Sequence, residues 1–165
     1  MKYKNTINNE SAMMDFGSQL AKIISKGLVV FLEGDLGAGK TTFVRGFLRQ
    51  LGYNGAVKSP TFTLVESYLI NSQNLVQQTI YHFDLYRLSD PEELDYIGLS
   101  DYMDGQAIVF IEWPDKGAGF LPQADLLIQI KHFGKKRQVD MFSPTGKAKQ
   151  LIAMMDNNLS STVEI

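Results

Sequence analysis

The sequence predicts an α/β fold of three layers: a mixed, mostly parallel sheet with one antiparallel hairpin, flanked by helices. Three observations carry this. Two wholly apolar runs, Leu28-Val29-Val30-Phe31-Leu32 and Ala107-Ile108-Val109-Phe110-Ile111, have the length and β-branched content of strands buried on both faces, as parallel strands are. The first run leads directly into a glycine-rich turn and an amphipathic helix. The strand-like segments Phe62 to Ile70 and Leu75 to Asp84 are separated only by Asn71-Ser72-Gln73-Asn74, a turn composition too short for a crossover helix, so they predict the antiparallel hairpin.

The other elements follow in order. Residues 10 to 26 predict an amphipathic helix, with Met13, Phe16, Leu20, Ile23 and Ile24 at three- and four-residue spacing, Asn9 or Ser11 as cap, and Gly27 as its end. A second helix carries Phe43, Val44, Phe47, Leu48 and Leu51 on one face and closes at Gly52. In Val57 to Val65, Pro60 prevents a helix and Thr61 and Thr63 fall at alternate positions of an extended segment. Ser89-Asp90-Pro91-Glu92-Glu93-Leu94 reads as a helix start, broken at Gly98. Asp125 to Phe133 and Arg137 to Phe142 predict two more strands, joined around Gly134. Thr145 to Met155 predicts a closing helix with Ala148, Leu151, Ile152 and Met155 inward, and 156 to 165 a frayed tail.

Gly34, Gly39, Lys40 and Thr41 complete G-x-x-x-x-G-K-T between the first strand and its helix, the order a phosphate-binding loop requires. A polyphosphate needs several backbone N–H groups converging on it, so glycines stand where a Cβ would block approach or where φ is positive. The helix N-terminus adds partial positive charge. Lys40 can reach the β and γ phosphates as a point charge, and the Thr41 hydroxyl is placed to ligate Mg²⁺. Asp35, Leu36, Gly37, Ala38, Gly39, Lys40, Thr41 and Thr42 are therefore the candidate ATP contacts, within a P-loop NTPase fold. A chance glycine-rich turn rarely has the correct strand before it and helix after it.

A metal site needs acids. Glu112 directly follows the buried run ending at Ile111, at the strand edge where such folds set an acid for the metal or its waters. Asp84, ending Ile80-Tyr81-His82-Phe83-Asp84, competes for the same role, and position alone does not divide metal ligation from orientation of the attacking water. Thr61 fits a mobile switch threonine as well as it fits a turn hydroxyl beside Pro60. His82, between aromatics, reads as packed. Arg87 could pair with an acid instead of acting on phosphate. Trp113, the lone tryptophan, reads as packing beneath a loop, on the opposite side of the chain from Glu112.

Composition bounds the rest. With 165 residues, 44% of them hydrophobic, the chain is long enough for one well-buried core and short for two, so 1 to 165 is expected to be a single domain. Zero cysteines exclude a disulfide framework, a thiolate metal site and a cysteine nucleophile. MKYKNTINNE lacks the apolar core of a secretory signal and no run approaches a membrane span, which predicts a cytoplasmic protein. A net charge of −2 is not that of a chain gripping nucleic acid by itself. The basic cluster Lys131, His132, Lys135, Lys136 and Arg137 reads first as a solvated hairpin turn, and second as a contact to nucleotide or tRNA phosphate.

Four blocks, GDLGAGKTT (34 to 42), VKSPTFTLVESY (57 to 68), YHFDLYRLSDPEELDYIGLSDY (81 to 102) and IEWPDKGAGFLP (111 to 122), together resemble the bacterial TsaE family. The resemblance runs in order over nearly the whole chain, and the last three blocks are more specific than the phosphate loop. It implies ATP and Mg²⁺, low intrinsic ATPase activity, and work with the TsaD and TsaB proteins in threonylcarbamoyladenosine modification of adenosine 37, in tRNAs reading codons that begin with A. By matched position it implies that Thr41 and Glu112 bind Mg²⁺, that Lys40, Asp84 and Thr61 are catalytic, and that Glu10 and Lys136 border the nucleotide. The chain departs from the family at Phe62, where tyrosine is usual, and in a longer 71 to 78 hairpin. The first departure removes any role for a phenolic hydroxyl there; the second extends a loop.

Two other classes compete. A small-molecule P-loop kinase would need an acceptor pocket and usually an arginine-bearing lid, and no arginine-rich lid is evident. A GTPase would need an N-K-x-D guanine-reading segment, which the sequence lacks. A nucleotide-dependent interaction module shades into the ATPase that works only on a partner.

Overall fold

The computed structural model describes residues 2–24, 27–71 and 77–160. The described chain runs β1 (Lys2–Ile7), α1 (Glu10–Ile23), β2 (Leu28–Glu33), α2 (Lys40–Gln50), β3 (Val65–Asn71), β4 (Gln77–Asp84), α3 (Glu93–Tyr96), α4 (Leu99–Tyr102), β5 (Ile108–Glu112), a short 3-10 turn at Pro114–Gly117, β6 (Leu126–Phe133), β7 (Lys136–Phe142) and α5 (Lys149–Ser160). All seven strands join one sheet in the order β1-β7-β6-β2-β5-β4-β3. The two apolar runs predicted to be buried strands lie side by side and parallel at its centre, Leu28 opposite Ile108 and Phe31 opposite Ile111. β4 and β6 extend the parallel set on either side. Antiparallel pairing takes over at both edges, in the β3–β4 hairpin and in β6–β7–β1, so it is half of the pairings.

β5 is buried on both faces, as expected, whereas β2 buries Leu28, Val30 and Leu32 and leaves Val29 and Phe31 half-buried. Val30, Leu32, Ile80, Phe110, Leu126 and Ile128 bury against α1, α2 and α5. Phe83, Val109 and Ile111 bury on the other face with Leu94 and Leu99 of α3 and α4. Asn9 caps α1, its Oδ1 accepting from Ala12 N at 2.9 Å. The α1–α2 contact depends on two small residues. A Cβ on Gly17 would stand 2.1 Å from Phe43 O and one on Gly46 2.1 Å from Met14 O, so the two backbones touch and carry Glu10 to the side of α2.

Several boundaries differ from expectation. β1 was not foreseen: Lys2 to Ile7 carries too few apolar residues to stand alone, and it forms by pairing with β7 and burying Tyr3 and Ile7. α1 ends at Ile23, with Ile24 as cap residue; the last two residues of the expected helix, 25 and 26, lie outside the described residues, as do 72–76 of the expected hairpin. The stretch 57–64 forms no strand. Residues 61 to 63 form a turn, Leu64 N donates to Pro60 O at 2.7 Å, and Leu64 takes a φ of 69°, so β3 starts only at Val65. α5 begins later and continues further than expected, to Ser160, which places the start of the expected tail, 156–160, in the helix. Among the described residues no helix is long and apolar enough to cross a membrane.

Candidate functional site

β2 delivers the chain to the loop 34–39 and α2 begins at Lys40, capped by Gly39 at φ 110°, a conformation side chains rarely adopt. A Cβ on Gly34 would stand 2.4 Å from Ile130 O, so the loop starts hard against β6. Lys40 is buried; its Nζ donates to Gly34 O at 2.6 Å and to Asp35 O at 3.0 Å, and lies 4.3 Å from the centre of the Trp113 ring. Burial lowers the Lys40 pKa from its ordinary 10.5, against the opposing pull of Glu112, Asp84 and Asp35. A phosphate in the loop would offer this ammonium anionic acceptors in place of two neutral carbonyls.

Across the loop stand the two predicted acids. β4 and β5 pair in register with Asp84 opposite Glu112, so both carboxylates leave the sheet on the α2 face at the C-terminal ends of their strands. Thr41 Oγ1 donates to Glu112 Oε1 at 2.8 Å. Asp84 Oδ2 accepts from Thr61 Oγ1 at 2.9 Å and from Ser59 Oγ, while its Oδ1 accepts from Tyr86 N at 3.0 Å. Four of the six buried polar or charged residues among those described are Lys40, His82, Asp84 and Glu112. Buried charge is costly, and it collects here at one spot.

The loop crest divides two clefts. One, of about 430 Å³, is bounded by Lys40, Thr41, Thr61, Asp84, Glu112 and Trp113. The other, about 280 Å³, is bounded by Asn9, Glu10, Ala38, Lys135 and Arg137. Gly37, Gly39 and Thr42 line both, so a single extended ligand can cross the loop from one cleft to the other. Leu36 reaches the acidic cleft, whereas Asp35 faces away from both, toward Gln129 and Lys131. The donor set fits Mg²⁺: a hydroxyl and two carboxylates supply oxygen only, and among the described residues no three His, Cys, Asp or Glu side chains are grouped to hold a metal ion. Such a site suits an ion that keeps waters and shares phosphate oxygens.

Residues 7–139 match the family described as threonylcarbamoyl adenosine biosynthesis protein TsaE. The chain belongs to the TsaE family. A Haemophilus influenzae relative named tRNA threonylcarbamoyladenosine biosynthesis protein TsaE is 45% identical over 156 residues, covering 92% of this chain and 96% of the relative. A Bacillus subtilis protein of the same name is 39% identical over 132 residues, 80% and 79% of the two chains. The crystal structure of Bacillus subtilis YdiB superposes with a TM-score of 0.73 at 31% identity, covering 98% of this chain and 96% of that one.

Several side chains of this TsaE-family chain sit otherwise than the sequence suggested. Arg87 pairs with no acid among the described residues; its guanidinium lies 4.3 Å from the Phe62 ring centre. Trp113 is not turned away from the loop 34–39, because its φ of 57° swings the indole over Lys40. Glu10 borders the smaller cleft and meets Arg45 at 3.4 Å. Lys136, the first residue of β7, does not line it; Lys135, in the turn before β7, and Arg137 do, and Arg137 Nε donates to Ala38 O at 3.2 Å. Sequence reasoning passed over Ser59 and gave His82 only packing. The usable signals were the hydroxyl-rich Ser59-Pro60-Thr61 and the alternation of His82 with Asp84, which puts both on the face of Glu112.

Proposed function

We propose that this chain is an ATP-binding and ATP-hydrolysing component of tRNA threonylcarbamoyladenosine biosynthesis, with Mg²⁺ as its metal and the TsaB and TsaD proteins as its partners in the cytoplasm. Family membership supports the pathway. The Thr41–Glu112 hydrogen bond, with Asp84 alongside and the loop opposite, is the observation that supports nucleotide chemistry. A hydroxyl that donates to a carboxylate keeps its lone pairs free for a cation. On this reading the loop N–H groups and Lys40 hold the phosphates, and Thr41 and Glu112 would hold Mg²⁺, which supplies charge neutralisation at the β and γ phosphates. Asp84, held by Ser59, Thr61 and Tyr86 N, is placed to orient a water at the end of the ligand. The base and sugar then fall in the smaller cleft between Glu10 and Arg137.

Phosphate release is the test, measured with ATP alone, with ATP and candidate small acceptors, and with ATP plus TsaB, TsaD and tRNA. Slow release alone and faster release with the partners is the expected result. Phosphate transferred to a small acceptor would replace this reading with a kinase, and binding without release under every condition would leave an interaction module.

A further inference from the structure

His82 is fully buried in β4; Ile80 on the same face of β4 and its partner Phe110 on β5 are apolar, and its partner on β3 is the exposed Glu66. A phenylalanine or leucine would satisfy that packing without a polar ring. Among the described residues the imidazole has one polar contact: its Nε2 lies 2.8 Å from Glu112 Oε1. His82 pairs with Phe110 and Asp84 with Glu112, so His82 and Glu112 are diagonal neighbours on one face of the sheet. An ionised carboxylate only accepts, so Nε2 carries the proton of this bond. Nδ1 is buried with no partner among the described residues. The same Oε1 also accepts from Thr41 Oγ1 at 2.8 Å. Two donors from different elements, a strand and the first turn of α2, therefore fix one oxygen of a side chain that otherwise has three rotatable torsions.

We infer that His82 is a positioning residue: its Nε2–H holds the Glu112 carboxylate against Thr41 and facing the cleft, so that the metal-binding end of the site is ordered before any ion or nucleotide arrives. Glutamate at a strand end needs such a brace more than aspartate does, because its carboxylate is one bond further from the backbone. The inference rests on the reading that Glu112 serves Mg²⁺.

Its test is the affinity of the full chain for ADP, measured by calorimetry with Mg²⁺ and again in EDTA, for His82→Phe, His82→Asn and His82→Gln. Phenylalanine keeps the ring without a donor. Asparagine keeps a donor too short to reach Glu112, and glutamine carries an amide nitrogen at the reach of Nε2. The expected result is that His82→Phe and His82→Asn lose the gain in affinity that Mg²⁺ provides by about tenfold, with affinity in EDTA unchanged, and that His82→Gln recovers most of it. A His82→Phe or His82→Asn protein with the full Mg²⁺ gain would overturn the inference, as would equal losses with and without the ion or a His82→Gln protein as poor as His82→Asn. Should His82→Phe fail to fold, the asparagine and glutamine variants decide in the same way. Glu112→Gln separates the two claims. If it keeps the Mg²⁺ gain, the metal reading itself fails; if it loses the gain while His82→Asn keeps it, only the positioning inference fails.

Discussion

Buried acids sit at opposite ends of the parallel strands, Asp125 at one and the pair Asp84 and Glu112 at the other, and they are held differently. At the N-terminal end, Asp125 Oδ2 accepts from Val29 N at 3.1 Å and Lys147 Nζ at 3.2 Å, and Oδ1 accepts from Thr145 Oγ1 at 3.0 Å. Asp125 N returns a bond to Val29 O at 2.9 Å, and Lys147 also reaches Gly27 O. Every partner there is fixed backbone, a cation or a turn hydroxyl, and together they tie the start of β6 to the start of β2 and to the approach to α5. At the C-terminal end, Glu112 and Asp84 rest mainly on the hydroxyls of Thr41, Ser59 and Thr61, next to a buried lysine and an open cleft. Hydroxyls can donate to a carboxylate and still offer lone pairs to an incoming ion. An acid tied to a strand's backbone and to a cation is a clamp, whereas an acid held mainly by hydroxyls beside a cleft can exchange partners.

The largest effect expected from this contrast is in turnover. Asp84→Ala and Glu112→Ala should each lose about 100-fold or more in partner-stimulated phosphate release while melting close to the wild-type temperature. Variants that instead unfold would make the C-terminal cluster a second clamp. Next is binding: Lys40→Ala should weaken ADP and ATP by about 100-fold, the worth of a charged hydrogen bond to phosphate, with and without Mg²⁺. Thr41→Ala should lose affinity mainly when Mg²⁺ is present. Trp113 emission follows both, because Nζ sits against its ring, and a saturable change on adding Mg·ADP should vanish in Lys40→Ala. A silent Trp113 with nucleotide bound by calorimetry would uncouple β5 from the loop.

Asp125→Ala should do the reverse. Leaving Val29 N and Thr145 unpaired is expected to cost about 1–3 kcal/mol of stability in urea unfolding, with nucleotide affinity unaltered. A loss of affinity there would erase the distinction between the two ends. The smallest effect concerns pH. Burial lowers the Lys40 pKa in the folded chain, so between that lowered value and about 10.5 the unfolded chain binds more protons. Stability without nucleotide should therefore gain a rising component as pH climbs through that window. Lys40→Met should flatten it, and an unchanged slope would mean that Lys40 is well solvated.

The sequence by itself determined the centre of this protein. Apolar runs at 28–32 and 107–111 are legible as parallel strands because burial on both faces leaves no polar alternation, and Gly34 to Thr41 is legible because phosphate recognition constrains a contiguous backbone. Asp84 and Glu112 could be named as candidates, since each ends a strand-like run. Only the tertiary structure decided what lies between segments. β1 exists through its pairing with β7, and Gly17 and Gly46 matter only because two helices cross there. The choice of Lys135 and Arg137 over Lys136 follows from how the β6–β7 hairpin folds back over the loop. His82 looked like packing because its neighbours in sequence are aromatic; its polar partner is 30 residues away, on the adjacent strand. Local patterns record the solvent each segment avoids or the ligand a single loop must hold, whereas a hydrogen bond across a sheet is set by register, which no single strand carries.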